Sequence, residues 1–223
     1  MSISNNIKQI LKELPDKVKL VAISKTHPAA CIEEAYACGQ RIFGENKVQE
    51  LTGKYETLPK DIEWHFIGHL QSNKVKYLAP FIALVHGVDS MKLLAAINKE
   101  AKKNNRVIDC LLQFHIADET TKFGLDMEEA REILESADYK GFGNVRVVGV
   151  MGMGTFTDDE QQTRQEFKNL KAIFETIKAE YFAEDNSFSE ISMGMSGDYK
   201  IAIEQGSTMV RIGSTIFGER SYH

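Results

Sequence analysis

Cysteine is scarce in this chain: Cys31, Cys38 and Cys110 are the only three among 223 residues. An odd number this small excludes a disulfide framework, and the spacing fits no zinc motif. Cys31 and Cys38 stand seven positions apart on an expected helix, roughly 10 Å by helical rise, which is too far for a bridge. Proline is almost as rare, with four residues, and no linker rich in Pro, Gly or Ser divides the chain, so one domain over residues 1–223 is expected. Long apolar runs are also missing. Nothing approaches a membrane span, and the stretch from Met1 to Lys8 lacks the apolar core of a secretion signal. No membrane partner and a cytoplasmic, reducing location are therefore expected. A basic excess is absent too, since the net charge is −5, which argues against a nucleic-acid partner. The one basic cluster, Lys99, Lys102, Lys103 and Arg106, has helical spacing and reads as a solvated helix face.

With 43% hydrophobic residues, the chain can bury one large core. Short apolar runs at 18–24, 41–43, 63–67, 84–88, 107–114, 145–151, 190–192 and 209–211 read as eight strands. The first is nearly continuous in apolar character, as a parallel strand covered on both faces should be. Helical spacing recurs between them, at Leu93, Leu94, Ile97 and Ala101, at Ala130, Ile133, Leu134 and Ala137, and at Phe167, Leu170, Phe174, Ile177 and Tyr181. Thr157, three residues before Glu160, predicts a capping box for the last of these. An extra helix over about residues 4–14 precedes the first strand and stops at Pro15. Gly141-Phe142-Gly143-Asn144 reads as a turn. Alternation on this scale fits an α/β fold, a (β/α)8 TIM barrel, better than an open sheet. The Gly-x-Gly-x-x-Gly turn of an open nucleotide-binding sheet is replaced after the first strand by Lys25-Thr26-His27-Pro28.

In a barrel every strand delivers its C-terminal end to one mouth. Ser192-Met193-Gly194-Met195-Ser196-Gly197-Asp198 and Gly206-Ser207-Thr208-Met209-Val210-Arg211-Ile212-Gly213-Ser214 then form two halves of a phosphate cup after strands seven and eight. Gly and Ser turns let backbone N–H groups meet an anion, and a helix starting near Asp198 adds its positive end. Lys25 is either a strand-end lysine reaching water or a nucleophile. An ordinary lysine is almost wholly protonated at neutral pH, so the second role needs desolvation or a neighbouring cation such as Arg211. A Schiff base with an aldehyde is its natural chemistry. Arg211 is a salt-bridge partner at the rim or a donor to a ligand ring nitrogen, because a guanidinium cannot accept. Asn46 is a donor to a phenolate oxygen or a turn and cap residue. His65 and His69 lie on a strand and turn, whereas a zinc pair at that spacing needs a helix, so no metal is expected. His86 and His115 read as isolated structural histidines, and Met151, Met153, Met193 and Met195 as core or rim packing.

These motifs are similar to those of the pyridoxal phosphate homeostasis protein family. The resemblance rests on Val21-Ala22-Ile23-Ser24-Lys25-Thr26, Phe43-Gly44-Glu45-Asn46-Lys47-Val48-Gln49-Glu50, Trp64-His65-Phe66-Ile67-Gly68-His69-Leu70-Gln71-Ser72-Asn73-Lys74 and the two cup segments, and it spans almost the whole chain. It implies the barrel of fold-type III pyridoxal phosphate enzymes, the alanine racemase N-terminal type. It further implies pyridoxal 5'-phosphate bound covalently to Lys25, with Ser196, Gly213 and Ser214 on the phosphate, Arg211 on the pyridine nitrogen and Asn46 close to the cofactor. The implied role is non-catalytic, in vitamin B6 homeostasis, with apo pyridoxal phosphate enzymes as conceivable recipients. Fold-type III racemases take a tyrosine from a second domain, which is not expected here, and Tyr222 stands too near the carboxyl terminus to replace it. That makes a monomer the expected state. The alternatives are a weak amino-acid racemase or transaminase and a Schiff-base aldolase acting on a sugar phosphate. The loop Met151-Gly152-Met153-Gly154-Thr155-Phe156 and the strand end Gln113-Phe114-His115-Ile116 depart from the family pattern, both on the rim.

Overall fold

Eight short parallel strands close into a barrel in a computed structural model, which describes residues 2–118 and 123–218. The strands are β1 (Lys19–Ile23), β2 (Ile42–Glu45), β3 (Glu63–Phe66), β4 (Leu84–Val88), β5 (Ile108–His115), β6 (Val145–Met153), β7 (Glu190–Met195) and β8 (Met209–Ile212). Their order around the barrel is their order in the chain, and β8 pairs with β1 from Lys19↔Met209 to Ala22↔Ile212. All eight strands expected from the apolar runs are present. β6 and β7 run beyond their expected ends, because β6 stays in register with β5 as far as His115↔Met153 and β7 meets β8 at Met195↔Arg211.

Both faces of the strands are covered, which explains their continuous apolar character. Alternate residues point inward and outward. Val21, Ile23, Leu84, Leu111, Val148, Met151 and Met209 fill the barrel. A larger core, with Phe43, Trp64, Phe66, Phe114 and Phe167 fully buried, lies between strands and helices. Gly149 marks a close approach of β6 to β7: a Cβ there would lie 1.8 Å from the Glu190 carbonyl oxygen.

The helices are α1 (Ile3–Glu13), α2 (Ala29–Ala37), α3 (Val48–Thr57), α4 (Val75–Leu78), α5 (Met91–Lys103), α6 (Met127–Glu135), α7 (Ala137–Lys140), α8 (Glu160–Tyr181), α9 (Tyr199–Glu204) and α10 (Ser214–Phe217). α1 is the expected additional helix, ending before Pro15, and its Asn6 side chain donates to the Ile216 carbonyl of α10 at 2.9 Å. Three expectations need correction. The pattern from Ala130 to Ala137 is two helices, because Ser136 caps α7 with its side chain on Tyr139 N–H. α8 is capped by Asp159, which accepts from Gln161 and Gln162 N–H, while the Thr157 hydroxyl accepts from Asp159 N–H in the preceding turn. Arg106 leaves the basic helix face and donates to the Ala79 and Ile82 carbonyls at 2.7 Å each. Cys31, Cys38 and Cys110 are free thiols. Among the described residues no helix is long and apolar enough to cross a membrane, and no cluster of potential metal ligands forms.

Candidate functional site

A cavity of about 680 Å³ opens at the C-terminal ends of the strands, and Lys25, Asn46, Ser196, Arg211, Gly213 and Ser214 all line it. The six residues proposed from sequence thus meet at one place, although they come from the ends of β1, β2, β7 and β8.

Lys25 sits in the turn just past β1, on a platform built from α3. The next residue, Thr26, has φ +69°, a left-handed conformation that is a true outlier for a β-branched side chain. Its N–H donates to Glu50 Oε1 at 2.6 Å. Lys54 Nζ also donates to Glu50 Oε1 at 2.6 Å, to Glu45 Oε1 at 2.7 Å and to the Ser24 carbonyl at 2.9 Å. Ser24 Oγ donates to the same Glu45 oxygen at 2.6 Å. Glu45 is wholly buried, and that burial raises its pKa despite Lys54. None of this platform was singled out from the sequence. Glu50 and Lys54 stand at the i,i+4 spacing of an ordinary helical ion pair, but the other partners are separated by up to 30 positions, and no local spacing joins them to it.

The two cup segments touch each other. Gly213 N–H donates to Ser196 Oγ at 3.2 Å, tying the loop after β7 to the loop after β8. Gly194 bends the first segment with φ +94°, and a Cβ there would lie 2.5 Å from Ala202 Cβ, so only glycine fits. A Cβ on Gly197 would meet nothing within 4 Å, which leaves open space beside Ser196 for an anion. α9 does begin after Asp198, and the Asp198 carboxylate accepts from Met195 N–H. Burial pushes the Asp198 pKa up.

Arg211 is 4% exposed. Its Nη1 donates to Ser192 Oγ at 2.7 Å and its Nη2 to the Gly152 carbonyl at 3.1 Å. Burial lowers its pKa to about 10, so it remains a cation at neutral pH. Among the described residues no carboxylate forms an ion pair with it, and the Asp198 carboxyl supports its charge from farther off. Asn46 caps nothing either: Lys47 holds the N-cap position of α3, and Asn46 Oδ1 is buried without a hydrogen-bond partner. Asn46 lines the cavity, where its Nδ2 is the group able to donate to a ligand oxygen, since Oδ1 only accepts. Amine, anion cup, guanidinium and amide together fit pyridoxal phosphate.

The histidines correct one expectation. His65 Nδ1 faces His86 Nε2 at 3.0 Å, and His86 Nδ1 faces Ser192 Oγ at 2.9 Å, so His86 is far from isolated. His69 is a largely exposed loop residue whose Nδ1 is 3.9 Å from Asp89. Met151 and Met193 are buried, while Met153 and Met195 reach the rim and line the cavity. Tyr222 lies outside the described residues.

The sequence model described as "Alanine racemase, N-terminal domain" matches residues 1–221. The "Pyridoxal phosphate homeostasis protein" of Aquifex aeolicus (strain VF5) is 42% identical over 205 residues, covering 92% of this chain and 88% of the relative. The chain belongs to the pyridoxal phosphate homeostasis protein family. Among solved structures, PipY of Synechococcus elongatus PCC7942 is 32% identical and covers 97% of this chain and 100% of its own, with a TM-score of 0.90 without pyridoxal phosphate and 0.87 with it bound. Alanine racemase of Clostridium difficile 630, at 14% identity, has a TM-score of 0.79 over 99% of this chain and 56% of its own, and shares the fold alone.

Proposed function

We propose that this chain is one pyridoxal 5'-phosphate-binding domain that holds the cofactor covalently and serves vitamin B6 homeostasis without catalytic turnover. The observation that carries the reading is the convergence of Lys25, Arg211 and the Ser196–Gly213–Ser214 cup on a single cavity. Lys25 supplies the amine for a Schiff base with the aldehyde, with loss of water. Ser196 and the turn of Gly213 and Ser214 would receive the phosphate, with the Gly213 N–H, which donates to Ser196 Oγ in this structure, turned to or shared with the anion. Asn46 meets the phenolate oxygen. Pyridoxal phosphate bound there supplies an electrophilic aldehyde on an electron-withdrawing ring. Arg211 can only donate, so it leaves the ring nitrogen unprotonated and weakens the ring as an electron sink. A weakened sink suits holding more than turnover, and the relatives named for homeostasis support the same assignment. A monomer in the cytoplasm that passes cofactor to apo enzymes completes the reading.

Visible absorbance of the purified protein, borohydride reduction and peptide mapping test it. A pyridoxyl group is expected on Lys25 and lost in Lys25→Ala; its absence from wild-type Lys25 overturns covalent holding. Incubation with L-amino acids and chiral product analysis tests the rest, where multiple turnovers would overturn the non-catalytic role.

A further inference from the structure

A line of polar groups crosses the otherwise apolar barrel interior. It runs from Arg211 on β8 to Ser192 on β7, across to His86 on β4 and on to His65 on β3, with separations of 2.7, 2.9 and 3.0 Å. Ser192 and His86 are fully buried, and Arg211 and His65 are each 4% exposed. β4 and β7 are not neighbours in the sheet, so the His86–Ser192 contact bridges the barrel. Arg211 lines the mouth cavity, whereas His65 lines a separate cavity of about 290 Å³ at the strand N-terminal ends.

Counting protons gives the line a direction. A guanidinium only donates, so Ser192 Oγ accepts from Arg211. The one hydroxyl proton of Ser192 has a single acceptor within reach, His86 Nδ1. His86 therefore carries its proton on Nε2 and donates to His65 Nδ1. That leaves the His65 proton on Nε2, the nitrogen still available to the far cavity. The reverse arrangement would strand a buried hydroxyl proton without an acceptor. Burial also keeps both rings neutral, with the His65 pKa brought down to about 3 and that of His86 well below its ordinary value. The line cannot conduct protons to a ligand, because Arg211 at its head does not deprotonate.

We propose that Ser192, His86 and His65 are positioning residues for Arg211: a one-directional chain of hydrogen bonds that fixes the guanidinium at the mouth, with both imidazoles carrying their single proton on Nε2. Arg211 is a buried cation whose direct hydrogen-bond partners are the two neutral oxygens of Ser192 and Gly152, with the Asp198 carboxyl acting on its charge from farther off. Each acceptor in the chain draws on the proton of the group before it, and His86 Nδ1, by accepting from Ser192, makes the Ser192 oxygen a better acceptor for Arg211. The N–H groups not used on Ser192 and Gly152 remain for the cavity. The value of this arrangement for cofactor binding rests on the reading of Arg211 as the ring-nitrogen partner.

Nitrogen NMR of the apoprotein tests the chain without the cofactor. Both rings are expected as neutral Nε2–H tautomers, and the Arg211 guanidinium nitrogens as resolved, slowly rotating signals. Ser192→Ala should merge the Arg211 signals and shift His86 Nδ1, and Ser192→Thr, which keeps the hydroxyl, should restore both. An Nδ1–H or charged His86, or unchanged Arg211 signals in Ser192→Ala, overturns the proposal. With ¹⁵N-labelled pyridoxal phosphate bound, Ser192→Ala should shift the ring-nitrogen signal while Lys25 still takes the borohydride label. If the apoprotein signals behave as expected but wild-type Lys25 takes no label, the cofactor reading fails and the positioning chain stands.

Discussion

Replacing Lys54 by alanine should destabilise the platform beneath Lys25 in a pH-dependent way. Lys54 bridges Glu45 and Glu50 at 2.7 and 2.6 Å, and Glu45 is wholly buried. Removing one partner of a buried ion pair leaves an uncompensated charge and costs about 3–5 kcal/mol. In a domain of this size about 1 kcal/mol moves the melting temperature by about 2–4 °C. Lys54→Ala should therefore lose roughly 6–20 °C at neutral pH. Burial already raises the Glu45 pKa against the pull of Lys54, and without Lys54 the rise grows. A carboxyl whose folded pKa lies above its unfolded value contributes stability that is fully present below the unfolded value and lost as pH rises through the folded one. The deficit against wild type is thus largest above the folded pKa and shrinks as pH falls toward the unfolded value of about 4.3. Thermal and urea unfolding across this range can be followed by fluorescence of Trp64, the sole tryptophan, which is fully buried. A deficit of equal size at about pH 5 and about pH 8 would refute the uncompensated charge as its cause.

Two further substitutions probe the barrel. Gly149→Ala drives a Cβ to within 1.8 Å of backbone, whereas Gly143→Ala meets nothing within 4 Å; the first should cost more than about 4 kcal/mol and the second almost nothing, and equal melting temperatures would contradict the close approach of β6 and β7. Asp159→Ala removes the α8 cap and should cost about 1 kcal/mol, measurable by urea unfolding; a larger loss from Thr157→Ala would return the cap to Thr157.

The strands were legible because a parallel strand buried on both faces leaves an apolar run that needs no partner to be recognised. The meeting of the two Gly and Ser turns at one cavity was legible for a similar reason, since each is contiguous and follows such a run. Helix ends were less so. Ser136 and Thr157 each stand among polar residues able to cap, and only backbone geometry decides that Ser136 starts a new helix and that Asp159 displaces Thr157. The line from Arg211 to His65 was invisible because its members fall at 65, 86, 192 and 211, and barrel closure alone brings them together. Arg211 stood out only as a rim or ligand partner and His86 only as an isolated structural histidine, so nothing joined the four. The platform under Lys25 escaped notice on the same grounds, and its clearest sign is the left-handed Thr26, a conformation that no residue type announces.

Closure of β8 on β1 sets a schedule for the newborn chain. Parallel neighbours at the seam are separated by almost the entire length of the sequence, from Lys19 to Met209, so the seam pays the largest loop-closure entropy and forms late. Arg211, Gly213 and Ser214 lie on or just beyond that last strand. During synthesis, Lys25 emerges early but has no cup opposite it until β8 has left the ribosome. A cavity lined from both ends of the chain therefore exists only in a finished barrel, and any ligand that needs both of its sides reports that folding is complete.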